Sequence, residues 1–175
     1  MNLSAAGLTL LISCVLLAAC AHSMTVRSRD GEALLGRYRF GREGQGLMQV
    51  TTTQGEVLYG SFTPVHRTAF VDGYEKAFGR GSIEWDGPDL SAAGNVFLGL
   101  FGHSYVLSES ASGEKFNAPG NKSTTVISGP LFYWTAFLEG DQRSSMRCYL
   151  IGSAHTGSGF GRCMGHQGKE YSVDF

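Results

Sequence analysis

The chain opens on one long apolar run and then changes to short ones. Gly7 to Ala19 carries no charge, and its bulk comes from Leu8, Leu10, Leu11, Ile12, Val15, Leu16 and Leu17. Everything downstream is punctuated by glycine. Leu34 to Phe40 reads as a strand in which Leu34, Gly36, Tyr38 and Phe40 share one face. A glycine-rich, charged turn follows at Gly41 to Gly46. A second strand is expected over Leu47 to Thr52 and a tight turn at Thr53 to Glu56. A third strand, Val57 to Phe62, is stopped at Pro64. The C-terminal third repeats the pattern. Leu131–Leu138, Met146–Gly152, Gly159–Met164 and Lys169–Phe175 read as four antiparallel strands. Ala21 to Asp30 is polar without an apolar period and reads as part of a tether over residues 20–33.

The middle of the chain is mixed. Phe70, Val71, Tyr74 and Phe78 fit one helical face within Arg67 to Arg80, although Asp72-Gly73 interrupts it. Ser82 to Trp85 reads as a short strand stopped by Asp86-Gly87-Pro88. Asp89 could cap a helix through Leu90, Ala93, Phe97 and Leu100, against which Gly94 and Gly99 argue. Asn95 to Gly102 is the most apolar stretch after the first, and is either core or a contact surface for a partner or membrane. Ser108 to Ser128 reads as a loop with an edge strand at Thr124 to Ile127.

The two ends resemble each other. Gly44-Gln45-Gly46-Leu47, Gln54-Gly55 and Phe62 recur as Gly157-Ser158-Gly159-Phe160, Gln167-Gly168 and Phe175, at one offset of 113 residues (159 against 46, 175 against 62). Tyr149-Leu150-Ile151-Gly152 extends the match to Tyr38-Arg39-Phe40-Gly41 with a longer turn. The pattern describes two related meanders.

Composition supports this reading. The chain holds 25 glycines and 4 prolines in 175 residues, with 11 phenylalanines and 7 tyrosines. Glycine turns between aromatic and β-branched runs indicate an all-β protein of antiparallel meanders forming a small sandwich or open barrel, with one short helix in the middle. A single β-rich domain is expected over residues 34–175. Net charge is −1, which gives no electrostatic footprint for a nucleic-acid partner.

The apolar run at the start is too short to cross about 30 Å of hydrocarbon comfortably. It ends in Leu17-Ala18-Ala19-Cys20, small residues followed at once by a cysteine, as in an export signal. This resembles the lipobox of bacterial lipoproteins. The resemblance implies a signal peptide over residues 1–19, cleavage before Cys20, a diacylglycerol on its thiol and an acylated new amino terminus. Such a protein is held in the bacterial cell envelope through lipid at Cys20. Ala21, where inner-membrane lipoproteins carry Asp, implies the outer membrane, facing the periplasm. The tail, with Gly140-Asp141, Cys148-Tyr149, Gly157, Gly159, Arg162-Cys163, Gly168, Tyr171 and Phe175, resembles the C-terminal module of a broad group of proteobacterial lipoproteins. That likeness implies a β-rich domain and no assigned activity.

Export decides the cysteines. Cys14 leaves with the signal and Cys20 takes lipid, so Cys148 and Cys163 remain as a pair in an oxidising compartment. A hairpin centred between His155 and Thr156 places Cys148 opposite Cys163, Leu150 opposite Gly161 and Gly152 opposite Gly159, and a disulfide is expected.

The chemistry-bearing patterns are thin. Gly102-His103-Ser104-Tyr105 begins like a nucleophile elbow, but Val106 stands where the second glycine belongs. His155, Cys163 and His166 lack zinc-ligand spacing, and Glu84, Asp86 and Asp89 lack the calcium-loop spacing. Gly157 to Gly161 lies in a hairpin rather than between strand and helix, so it is no phosphate loop. No catalytic residue, metal or cofactor is expected. Trp85 and Trp134 are the candidate ligand contacts. The expected function is a non-enzymatic structural or interaction module with an envelope protein partner. A ligand- or glycan-binding module is the first alternative, and a small hydrolase using Ser104 or His103 the second.

Overall fold

The computed structural model describes residues 21–79, 84–86, 95–100, 103–108, 124–128, 130–153 and 158–175. Its strands are β1 (His22–Ser28), β2 (Ala33–Phe40), β3 (Gly46–Thr51), β4 (Val57–Pro64), β5 (Glu84–Asp86), β6 (Asn95–Leu100), β7 (His103–Ser108), β8 (Thr124–Ser128), β9 (Leu131–Gly140), β10 (Ser145–Ser153), β11 (Ser158–Gly165) and β12 (Glu170–Asp174). The helix α1 spans Arg67–Phe78.

Eight strands form a closed antiparallel barrel in the spatial order β1-β2-β3-β4-β9-β10-β11-β12, with β12 returning to pair with β1. Every pair that is consecutive in the barrel is antiparallel, so this is an up-and-down barrel of two four-stranded meanders. The polypeptide between β4 and β9 carries α1 and a separate four-stranded sheet ordered β5-β6-β7-β8, in which β7 and β8 run parallel. The all-β expectation with one short helix holds, and the sheet is closed.

Closure comes from a segment expected to be a tether. Within it Met24, Val26 and Ser28 alternate with polar residues, and all three are buried on the barrel's inner face. Two apolar side chains at spacing two were too few to register as a strand in a polar stretch. Between β2 and β12, however, they are enough, because both neighbours supply hydrogen-bonding partners. The barrel therefore begins at His22, not at Leu34.

The interior is packed by inward alternation from all eight staves. Met24, Val26, Leu34, Met48, Val50, Leu58, Phe62, Trp134, Ala136, Leu138, Met146, Leu150 and Val173 form one cluster with the Cys148–Cys163 disulfide inside it. The two cysteines are directly paired across β10 and β11, Cα to Cα 4.0 Å, and Leu150 faces Gly161 and Gly152 faces Gly159. That register is the one the sequence implies.

A second cluster lies outside the wall. Phe70, Val71 and Tyr74 of α1 pack on Tyr133, Tyr149, Ile151 and Phe160 of β9, β10 and β11. The helical face inferred from residues 70, 71, 74 and 78 is thus real. Gly73 does not break the helix; it lets the helix approach the wall, since a Cβ there would stand 2.7 Å from the Tyr149 ring. At the end of α1 the Arg162 guanidinium lies 4.5 Å from the centre of the Phe78 ring. The outward place of Tyr149 corrects its proposed equivalence to Tyr38, whose ring lies with the interior cluster. Tyr38 pairs with Met48, and the second half matches it at Leu150, opposite Gly161. A slip of one residue carries a side chain to the other face.

The rest of the repeat is structural. Gly46 pairs with Phe62, and a Cβ on Gly46 would fall 2.2 Å from the Phe62 ring. Gly159 exchanges both backbone hydrogen bonds with Phe175, and a Cβ on it would fall 2.2 Å from that ring. Each half thus ends by laying a phenylalanine over a glycine of the preceding strand.

Five barrel hairpins also share one closing hydrogen bond. The first loop-flanking N–H donates four residues ahead in Ser28–Glu32 (2.9 Å), Gly41–Gln45 (2.7 Å), Thr52–Glu56 (2.8 Å), Gly140–Ser144 (2.8 Å) and Gly165–Lys169 (2.7 Å). The last loop residue is left-handed in each, at Gly31 (φ 92°), Gly44 (73°), Gly55 (83°), Arg143 (65°) and Gly168 (79°). All five are three-residue loops that need a left-handed residue to match strand twist, and in two of them the middle residue is left-handed too, Glu43 (φ 58°) and Gln167 (φ 65°).

In the middle, Glu84–Asp86 is a strand that overlaps the one expected over Ser82–Trp85 and includes Asp86, expected to stop it, and Thr124–Ser128 is an edge strand. The helix considered up to Leu100 is not formed over Asn95–Leu100, which is β6 between β5 and β7. Its earlier part, from Asp89, lies outside the described residues, as do the side chains bearing on whether this stretch is core or contact surface.

Two stability predictions follow from turns and disulfide. Arg143 alone among the five last loop residues is not glycine, and the conformation costs a side chain about 1–2 kcal/mol. Arg143→Gly should raise the melting temperature by about 2–4 °C, and Gly55→Ala or Gly168→Ala should lower it by a similar amount. At Gly55 and Gly168 a new Cβ would meet nothing within 4 Å, so backbone strain alone would be read. The disulfide closes a separation of 15 residues, worth about 3 kcal/mol in the chain-entropy picture. Reductant or Cys148→Ser should therefore lower the melting temperature by roughly 6–12 °C in calorimetry.

Candidate functional site

The barrel is filled along most of its length but open at one mouth. The mouth is where β1 begins, β2 turns into β3, β4 leaves for the helix, β9 returns, β10 turns into β11 and β12 ends. There an open cup of about 400 Å³ is lined by His22, Tyr38, Phe40, Gly44, Phe132, Trp134, Gly152, Ser153, Ser158 and Phe175. Met24, Met48, Phe62 and Leu150 lie directly beneath it.

The alternation rule explains the lining. Tyr38 and Phe40 continue the inward row of β2, and Phe132 and Trp134 that of β9. Their rings form one continuous set of contacts. His22 stacks on Tyr38 at 5.2 Å, Tyr38 meets Phe175 edge-on at 5.4 Å, and Phe175 meets Trp134 at 6.5 Å. Trp134 stacks on Phe132 at 5.9 Å and meets Phe62 at 6.3 Å, and Phe62 meets Phe40 edge-on at 5.2 Å. The row Phe40, Gly46, Phe62 in the first half corresponds to Gly152, Gly159, Phe175 in the second. Glycine in place of phenylalanine at 152 opens the cup on that side.

Most of these rings are walls; two are lips. Trp134 is 6% exposed, and its indole N–H donates to the Gly44 carbonyl at 2.9 Å. One indole face is covered by Phe132, and edges of Phe62 and Phe175 close around the ring. Phe40 and Phe132 are 45% and 44% exposed. Burial pushes the Tyr38 phenol above its ordinary value, so it stays neutral at physiological pH. Among the described residues no Asp, Glu, Lys or Arg side chain lines the cup. Its chemistry therefore suits an apolar chain or face entering over Phe40 and Phe132, with Ser153, Ser158 and backbone as neutral polar contacts.

The other sequence-flagged residues lie elsewhere. Trp85 is on β5, paired with Val96, and its side chain is outside the described residues. Ser104 and His103 lie within β7, where Ser104 pairs with Gly99 and Thr124. A strand interior is not the strained strand-to-helix turn that exposes a nucleophilic serine. Asp86 ends β5, whereas Asp89 and His155 are outside the described residues. Among the described residues no three His, Cys, Asp or Glu side chains come together as a metal site. Sequence reasoning missed His22, Tyr38, Phe40, Phe132 and Phe175 as parts of one site. The only signal was their place at the ends of strands whose inner faces alternate.

The outer wall carries an exposed apolar band of its own. Leu47 and Phe137 flank Ser61 in one row across β3, β4 and β9, and Tyr59 lies one step along β4. Arg37 and Arg39 border it.

Charge gathers at the end opposite the cup. Lys169 in the β11–β12 turn bridges Glu32 at 2.7 Å and Asp30 at 3.1 Å in the β1–β2 turn, and Thr53 donates to Glu32 at 2.8 Å. Ser28 also donates to Asp30. The Ser28 hydroxyl and Lys169 hold the Asp30 carboxyl at about 2, Lys169 and Thr53 lower Glu32, and the two carboxylates raise Lys169.

Compared with protein-family models, curated proteins and solved structures, the chain matches none of them.

The bridge at the far end has a pH signature. A depressed carboxyl stabilises the fold above its unfolded value, and that help is lost as pH falls through the folded value. Between the ordinary 3.8 and about 2, the wild-type melting temperature should fall more steeply than that of Lys169→Met, and the two curves should meet below that window. Thermal scans across that range, repeated in high salt to narrow the gap, check this.

Proposed function

We propose that this chain is a bacterial envelope lipoprotein, anchored through lipid on Cys20, whose barrel is a non-enzymatic binding module working at its aromatic mouth. The anchor rests on Leu17-Ala18-Ala19-Cys20, and its setting is the outer membrane facing the periplasm. The observation that carries the binding role is the cup itself, with Phe40 and Phe132 half exposed above a packed floor. Rings of that size left in water at a concave site mark a binding surface. An apolar ligand fits better than a glycan, because the Trp134 ring is buried, with Phe132 stacked on it, and its N–H is already spent on Gly44. The outer band of Leu47, Tyr59 and Phe137 supports a second reading, a contact face for an envelope protein partner.

Two measurements test the proposal. Intact-mass spectrometry of protein taken from the envelope should find acylated Cys20 at the mature terminus, and Cys20→Ala should leave the uncleaved precursor. Titration with a long-chain fatty acid should change the tryptophan emission of the purified protein, whereas a disaccharide should not. Phe40→Ser with Phe132→Ser should abolish the fatty-acid response at unchanged melting temperature. Binding that survives in this double variant would refute the cup as the site.

A further inference from the structure

The anchor and the cup belong to the same end of the barrel. The residue after Cys20 is Ala21, and β1 starts at His22, whose imidazole already lines the cup. No spacer separates the lipid attachment point from the fold; the stretch expected to supply one is the closing stave. Ala21 itself lies beside Tyr38 and Arg39 at the outer edge of the same mouth. Two acyl attachments at residue 20 would hold this mouth within a residue or two of the lipid, about 3.5 Å of chain for each residue.

Surface chemistry agrees with that orientation. At the mouth, half-exposed Phe40 and Phe132 extend the aromatic lining outward, the kind of ring that settles at the membrane–water boundary. Exposed Arg39 and Arg42 stand next to them and are balanced there by Glu43 and Asp174, so the rim carries no acidic excess to oppose an anionic headgroup layer. The opposite end holds Asp30, Glu32, Glu56, Glu139 and Asp141 against Arg29, Arg143 and Lys169, an acidic balance that such a layer repels.

We propose that the barrel stands mouth-down on the bilayer, and that the occupant of the cup is the membrane itself: Phe40 and Phe132 enter the interface, and lipid acyl chain fills the space above Met48, Phe62 and Leu150. This rests on the lipoprotein reading and names its ligand as bilayer lipid rather than a soluble apolar compound. It makes the anchor a device that orients the binding site as well as retaining the protein.

Depth-dependent quenching tests it. The full acylated protein carrying Trp85→Phe, so that Trp134 is its remaining tryptophan, is reconstituted into vesicles of phosphatidylethanolamine and phosphatidylglycerol. A parallel set has lipid brominated in the upper acyl chain. Flotation with the vesicles reports the anchor, and bromine quenching reports where the mouth points. The expected result is flotation with loss of Trp134 emission on brominated lipid. Phe40→Glu with Phe132→Glu should still float and melt as before but keep its emission. Flotation of the first protein without quenching would overturn the orientation and leave the anchor standing, as would equal quenching in the double variant. Absence of flotation together with an unmodified Cys20 would overturn both readings.

Discussion

Closure of the sheet by its first strand is the constraint on which the structure depends. A meander of strands has two open edges, each a row of unpaired backbone groups. Here β1 pairs with β2 on one side and β12 on the other, and it carries Met24 and Val26 into the interior as it does so. Without it, β12 and β2 would both be edges, and the apolar inner faces of eight strands would have no common volume to share. Both ends of this seam are fastened by side chains. Lys169 ties the β11–β12 turn to the β1–β2 turn at one end, and Phe175 and His22 meet on Tyr38 at the other.

Two similar halves produce an asymmetric site. They share a turn length with its closing hydrogen bond, a register and a phenylalanine laid over a glycine, which together specify the wall. They differ at the rim, where Phe40 of one half stands against Gly152 of the other, and His22 against Trp134. The wall's regularity closes the barrel, and the rim's irregularity leaves room in it. Because the interior below is filled by side chains, the disulfide joining neighbouring β10 and β11 among them, the room inside the barrel lies at the mouth.

The position of that mouth gives the lipid anchor a second role in the proposed function. An anchor on a long tether would allow any face to meet the membrane, with an effective concentration set by the tether. An anchor joined directly to a barrel stave limits the orientations to a few and selects the aromatic end. The helix docked outside β9, β10 and β11 stiffens the opposite wall, with Gly73 set against Tyr149 and Arg162 over Phe78.

The sequence alone determined the elements whose pattern is local. Alternation located β2, β3, β4 and the four C-terminal strands. The helical face of Phe70, Val71, Tyr74 and Phe78 was readable, and hairpin geometry placed Cys148 opposite Cys163. Local pattern worked there because each element carries its own period and its own turn residues. Tertiary structure decided the rest. β1 is a strand only because two neighbours complete its hydrogen bonding, so its two apolar residues meant little by themselves. Tyr149 faces α1 rather than the core because a turn of even length shifts the face by one residue. The cup was invisible for the same reason: its residues come from the ends of strands far apart in the chain. What unites them is that the barrel closes on β1 and brings those ends to one rim.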